Sequence, residues 1–436
     1  MKQELNELKS FLILWSTQAV SQLGSTMTSF ALTQWLYQQT GSALQTALLS
    51  ICSYAPYVVM SIFAGALSDK WDKKKTMLAC DTVAALCTVA VLILLKTDAL
   101  QPWHMYVLNA LNGLMNTVQS PAGDVAMTLI TPKRHYQRAS GLRSFSASLV
   151  DILHPMLAMA LFSWAGMDAV IAVDLTSFAV AFIALWLFVR IPAVPAAQAG
   201  KETLLQSARS GLRYLRQNPM ILTLIAFLAG VNLVASGFDA TLPAYVLPRA
   251  NGGKAVLGLV TSCAGIATLL GSVIVHVMPV PRNRLRVITW TLLFSLGTEN
   301  YLLAFAKTPF WWCVAQVIGW LPIPLMNANL DVVLRSTIPA DMQGRVYSCR
   351  NTCQFFTIPI GYFLGGWLVD TVCEPWMAVA PSGWKAVFGA EKGAGAALMM
   401  LILAVTGTVI CLVFGRILRK YRFEEHAKPA IHDPCG

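Results

Sequence analysis

The sequence predicts an all-α membrane protein of twelve transmembrane helices in two six-helix bundles, with both termini cytoplasmic. Three observations carry that expectation: the composition, the length of the apolar runs, and the placement of basic residues between them. Hydrophobic residues make up 56% of the 436 and charged residues only 12%, against roughly 25% charged in an ordinary soluble chain. A soluble core does not readily bury so many near-continuous apolar runs, whereas each bilayer crossing needs about 20 such residues.

Taken in order, the runs place spans at 11–36, 43–67, 76–95, 103–128, 139–162, 168–189, 219–246, 255–279, 286–306, 309–333, 346–369 and 391–414. The longer ones can tilt or reach into the headgroups. The opening MKQELNELKS mixes acids with lysines, and no cleavage signature follows it. It reads as the lead-in to a retained first helix. With the N-terminus inside, 26 of the 32 Lys and Arg residues lie on the cytoplasmic side or its helix ends, and six on the other. That asymmetry orients the chain. It also checks the count, because one missing span would scramble every later loop.

The long internal connection, 190–218, begins as a linker with Pro192 and Pro195. It continues as a predicted amphipathic helix on the cytoplasmic membrane surface, with Leu205, Ala208, Leu212 and Leu215 opposite basic residues. It separates an N-terminal bundle, 1–189, from a C-terminal bundle, 219–414, and a cytoplasmic tail follows at 415–436. The halves repeat weakly. Asp124 is followed by Pro132 and Arg143, and Asp331 by Pro339 and Arg350, at the same spacings. Parallel six-helix repeats suit a two-bundle carrier that opens alternately to either side.

Between the second and third spans stands GALSDKWDKKK, Gly65 to Lys75. Gly65 permits close helix approach, and Asp69 at a helix end can accept hydrogen bonds from a facing helix N-terminus or pair with an Arg. The lysines sit well beside anionic headgroups. This loop resembles the pattern G-x-L-x-D-[RK]-x-G-[RK]-[RK] of major facilitator superfamily transporters, although Asp72 stands in place of its second glycine. The stretches WSTQAVSQLGSTMTSFAL, YAPYVVMSIFAGALSDKWDKKK and IPADMQGRVYS resemble the macrolide-efflux branch and related bacterial drug and siderophore exporters. The resemblance implies a major-facilitator-like fold and a cytoplasmic gate containing Gly65, Asp69, Lys73 and Lys74. Repeat symmetry adds Arg143, Asp331, Arg345 and Arg350 as gate candidates. Of the glycine-rich fifth-helix motif found in related antiporters, Pro155 remains but most glycines do not; Gly361 and Gly365 instead form a G-x-x-x-G face in the eleventh span.

An acid inside a span faces protein or a wet cavity rather than hydrocarbon. Asp151 and His154, three residues apart, share a helical face and could exchange a proton. Asp239, flanked by Gly237 and Pro243, marks an interrupted seventh helix as a cavity wall or outer gate. With Glu299 of the ninth span, these are the coupling candidates. Asp81 and Asp174 read as acids that hydrogen-bond between helices. Gln18, Gln22 and Thr26 form one polar stripe at four-residue spacing, and Asn109, Asn112, Asn116 and Gln119 form another. With Asn327 and Asn329 on the tenth span, they predict a polar cavity shared by the two bundles.

There is no G-x-x-x-x-G-K-[ST] loop, no H-E-x-x-H and no histidine cluster at metal-ligand spacing. The expectation is therefore a transporter rather than an enzyme, without bound cofactor or metal, and with the proton as coupling ion. The basic residues form short clusters between apolar runs, not a nucleic-acid-binding domain. The ten cysteines include no C-x-x-C pair and read mostly as packing residues. The sequence thus predicts a bacterial inner-membrane secondary transporter, working as a monomer among membrane lipids. It would export an amphipathic or apolar small molecule by alternating access. Uptake or lipid translocation on the same fold, or substrate sensing without turnover, are the alternatives.

Overall fold

The computed structural model describes residues 8–192, 204–279, 281–339 and 342–421. Within them the chain is helical, without a β-strand. In the first half α1 spans Lys9–Thr40, α2 Ala43–Lys70, α3 Lys73–Lys96, α4 Pro102–Ile130 and α5 Tyr136–Phe188. After α6, Leu204–Gln217, come α7 at Pro219–Val246, α8 at Lys254–Val277, α9 at Arg284–Phe305, α10 at Pro309–Trp320 and α11 at Ile323–Thr337. The chain ends with α12 at Gln343–Phe355, α13 at Thr357–Leu368, a π-helical turn at Val369–Cys373, α14 at Glu374–Val379, α15 at Ser382–Phe388 and α16 at Ala394–Leu418.

Local chemistry sets these boundaries. Gly41, at φ 64°, ends α1, and Ser42 caps α2 by accepting the Gln45 amide. Asp72, the residue that replaces a motif glycine, caps α3 by accepting the Lys75 amide at 2.8 Å. Pro102, Pro219 and Pro309 occupy first helical positions, where a missing N–H costs nothing. Gly166, at φ 79°, breaks α5 into the two predicted spans. The seventh span is not interrupted. α7 runs unbroken through Pro243, which sits in its last turn, so only the three residues after it lie beyond any bend it introduces.

Eight helical stretches among the described residues are long and apolar enough to cross a bilayer. The long helices outside that set are α1, α4 and α9. They carry the glutamine and asparagine stripes and the charges Arg284, Arg286 and Glu299, which raise their mean polarity.

Helices before residue 190 pack mainly on one another, as do those after 218. Two seams join the sets, α5 on α8 and α2 on α13. In the first seam the backbone of α8 lies close to α5 at Gly258 and Gly265, where a Cβ would come 2.9 Å from Pro155 O and Ile152 N. In the second, Tyr54 stacks on Tyr362 with ring centroids 6.0 Å apart. Gly361 and Gly365 form the close-packing face expected of the G-x-x-x-G spacing, and the helix that settles on it is α7. The α6 helix docks on α12 and the end of α11: Gly211 meets the Arg345 carbonyl of α12, and the Tyr214 hydroxyl donates to Thr337 O of α11 at 2.9 Å. Leu215 is buried there while Leu212 stays exposed, so only part of the predicted apolar stripe turns toward the protein.

The later helices hold one large continuous core, centred on residues such as Phe227, Tyr245 and Trp312. Tyr245 donates to the carbonyls of Leu303 and Ala306, tying off the end of α9. The first half has several smaller clusters instead. Its interior is occupied by something other than apolar packing.

Candidate substrate cavity and gates

That interior is a cavity of about 680 Å³ lined by α1, α2, α3, α4 and α5. The two amide stripes face each other across it. Gln18, Gln22 and Thr26 come from α1, and Asn109, Asn112 and Asn116 from α4. A stripe at helical spacing presents one face, and two such faces on neighbouring helices enclose a polar space that lipid cannot reach. Asn109 is held by donating to Leu49 O at 2.7 Å, and Thr26 by donating back to Gln22 O. The Asn112 Oδ1 is buried without a hydrogen-bond partner.

Two carboxylates reach this space. Asp81 of α3 accepts from Gln119 at 2.5 Å and from Gln18 at 3.5 Å, joining α1, α3 and α4. Asp174 of α5, 3% exposed, accepts from Ser25 of α1 at 2.8 Å. The interhelical bonding expected of both is present, and both also line the cavity. Gln18, Gln119 and Ser25 are all neutral donors. A third carboxylate, Asp124, pairs with Arg143 across α4 and α5, and both line the same cavity.

The expectation that this polar space is shared by the two halves needs correction. Every lining residue lies between Trp15 and Phe178. The reason is that both amide stripes belong to helices of one half and turn toward each other. Asn327 does not join them. On α11 the side chain turned inward is Asn329, 3% exposed, which accepts from Arg284 at 3.2 Å. Two residues earlier, Asn327 points some 200° away and is exposed.

The coupling candidates are dispersed. Asp151 is exposed on α5, with its backbone beside Gly265 of the α5–α8 seam. His154 does not hydrogen-bond to it. Its Nδ1 lies 3.0 Å from Val150 O, and its ring meets Phe30 edge-on at 5.6 Å. Asp239 projects from α7 between buried neighbours and accepts from the Tyr362 hydroxyl at 3.3 Å. Glu299 is 5% exposed and lies against Gly319 of α10, a position only a glycine leaves open. Its Oε1 is without a hydrogen-bond partner. None of the four lines the cavity.

Among the gate candidates, Gly65 and Asp69 fall in residues 61–70, whose side chains lie outside the described part. Lys73 donates to Trp71 O at 2.9 Å. Lys74 donates to the carbonyls of Trp186 and Val189, a cation closing the C-terminal end of α5. The repeat is kept in position but not in pairing. Arg143 meets Asp124, whereas Asp331 meets Arg335 one turn away at 3.6 Å, and Arg350 donates to Gln354 at 2.9 Å. Arg345 contacts the Met342 sulfur at 3.9 Å.

The sequence profile of the Major Facilitator Superfamily matches residues 14–278, which include this cavity and both seam helices of the first half. The chain belongs to the major facilitator superfamily. This major facilitator is 23% identical over 375 residues to macrolide efflux protein A of Streptococcus pyogenes, covering 85% of this chain and 92% of that one. It is 24% identical to the multidrug efflux pump Tap of Mycolicibacterium fortuitum, over 80% and 86% of the two chains. Its fold matches a crystal structure of the nucleoside transporter NupG at a TM-score of 0.68, covering 94% of this chain and 99% of that one at 15% identity. A bacterial homolog of the lysosomal transporter Spinster, in an inward-facing conformation, matches at 0.66 over 96% and 98%. The protein is thus a multi-pass membrane protein and a secondary transporter, not an enzyme.

Proposed function

We propose that this transporter exports an amphipathic or apolar small molecule from the bacterial cytoplasm across the inner membrane, by alternating access and in exchange for protons. The observation that carries the reading is the cavity of about 680 Å³ inside the membrane-crossing helices, where amides on α1 and α4 surround Asp81 and Asp174. Such a space has an apolar frame with a few convergent polar groups, the usual make-up of a small-molecule site. Likeness over 80–85% of the chain to two proteins named for efflux supports the outward direction. Asp151, His154, Asp239 and Glu299 are the proposed proton-coupling groups, and the monomer is the proposed working unit. In this reading both termini are cytoplasmic, twelve spans form two six-helix bundles, and the loop at Gly65–Lys75 gates the cytoplasmic side.

The deciding experiment is flux through purified protein in liposomes across a substrate panel, with proton and sodium gradients imposed separately. Uptake into inverted vesicles driven by the proton gradient alone is the expected result. Concentration into right-side-out vesicles would replace export by import. Saturable binding with no flux under any gradient would replace transport by sensing.

A further inference from the structure

At the end of the molecule remote from the lysine loop, the halves are joined by a contact that no sequence motif announces. Asp370 lies in the π-helical turn Val369–Cys373 that follows α13. Its carboxylate reaches the other half and covers the first turn of α2. Oδ2 accepts from the Ser42 hydroxyl at 2.6 Å and from the Leu44 amide at 2.8 Å, and Oδ1 accepts from the Ala43 amide at 3.0 Å. The first amides of a helix have no partner within it and carry its positive end, so a carboxylate is their natural acceptor. Here that acceptor belongs to the opposite half of the chain.

The surroundings are shaped for this contact. Gly366 lets α13 close on α2, since a Cβ there would stand 2.7 Å from Leu44 Cα and 2.8 Å from Ala43 O. Ala43 is fully buried and belongs to the large core of the second half. The extra residue of the π turn rotates Asp370 out of the α-helical register, the kind of local irregularity that recurs at functional positions. Ser42 serves both sides, donating to Asp370 and accepting from the Gln45 amide.

We propose that Asp370 is a gating residue of the transport cycle. Its carboxylate latches the outer ends of α2 and α13 in the state seen here, and it must release the first turn of α2 before the halves part at that end. The three donors and the carboxylate are satisfied together only while the halves touch, so the contact favours one conformation rather than stability in general. Asp370 works through the position of α2 and not by touching substrate. The inference rests on the alternating-access reading above.

The test compares full-length wild type with Asp370→Asn and Asp370→Ala in lipid nanodiscs by hydrogen–deuterium exchange, alongside flux in liposomes. Loss of the latch should raise exchange of the amides at 42–46 about tenfold, the change expected when a charge-assisted hydrogen bond is lost. It should also lower exchange at 345–355, the other end of the same seam, as the population shifts toward the opposite opening. Asp370→Asn keeps the shape of the side chain and carries the test if the alanine variant fails to fold. Unchanged exchange at 42–46, or a rise there without the opposite change at 345–355, overturns the latch. Absence of flux in wild type refutes the transport reading itself. Wild-type flux that is unchanged in both variants refutes only the role of Asp370.

Discussion

Asp81 and Asp174 bring carboxyl groups to a membrane-embedded cavity, and each is held by neutral hydrogen-bond donors from neighbouring helices. Asparagine at either position keeps most of the shape and removes the ionisable group. If the cavity carries substrate, Asp81→Asn and Asp174→Asn should each lower flux by about tenfold or more at matched protein levels, the scale of one lost charge-assisted interaction. Wild-type flux in both variants would place the substrate elsewhere. Glu299 poses a different question, because its carboxyl group is enclosed and one oxygen lacks a partner. Glutamine at this position keeps the side chain's shape and removes the exchangeable proton. Glu299→Gln is therefore expected to reach the membrane at wild-type levels and to keep substrate exchange while losing proton-driven accumulation. Asp151→Asn and Asp239→Asn, assayed beside it, identify which of the dispersed acids sets the pH profile. Unaltered pH dependence in all three would remove them from the coupling mechanism. These acids were legible in the sequence because charge inside an apolar run stands out. Their partners were not, since His154 turns to Phe30 rather than to Asp151.

Helix contacts here depend on where side chains are missing. Gly365 brings α13 against Gly237 of α7, with room for no more than hydrogen: a Cβ would lie 2.7 Å from the Gly237 carbonyl oxygen. Gly365→Val should destabilise the protein by about 1–3 kcal/mol or more through overpacking, read as a lower unfolding midpoint in detergent. Gly383, where a Cβ would meet nothing within 4 Å, is the control, and Gly383→Ala should leave that midpoint within error. The G-x-x-x-G spacing announced a close-packing face on α13 from sequence alone, and the structure supplied α7 as its partner. Gly258 and Gly265 on α8 serve the other seam at seven-residue spacing, a weaker pattern that no motif flagged. Pro243 was expected to interrupt its helix, but it stands so near the helix end that α7 runs on to Val246 without a break.

At the scale of the whole molecule, the arrangement is two packed sets of helices that differ inside. One holds a continuous apolar core and the other a polar cavity. The proposed orientation makes a direct prediction for the connections. Single cysteines at Asp98 and Lys307 should react with an impermeant thiol reagent added outside intact cells, and one at Arg282 only after permeabilisation. Reaction of both sets from one side would overturn the topology. The Asp–Arg repeat also pairs differently in the two halves. Arg143 lines the cavity with Asp124, while Arg350 is drawn along its own helix to Gln354.

Apolar run length, charge placement and the loop at Gly65–Lys75 were enough, without coordinates, to determine an all-helical membrane chain, its family and the two stripes that line a cavity. Each of those is a local property, set by the sequence within one helix or one turn. Which half encloses the cavity, and which carboxylate of the second half covers the first turn of α2, only the tertiary structure decided. Those depend on how helices far apart in the chain are rotated against one another, and side-chain spacing along a single helix does not specify that rotation.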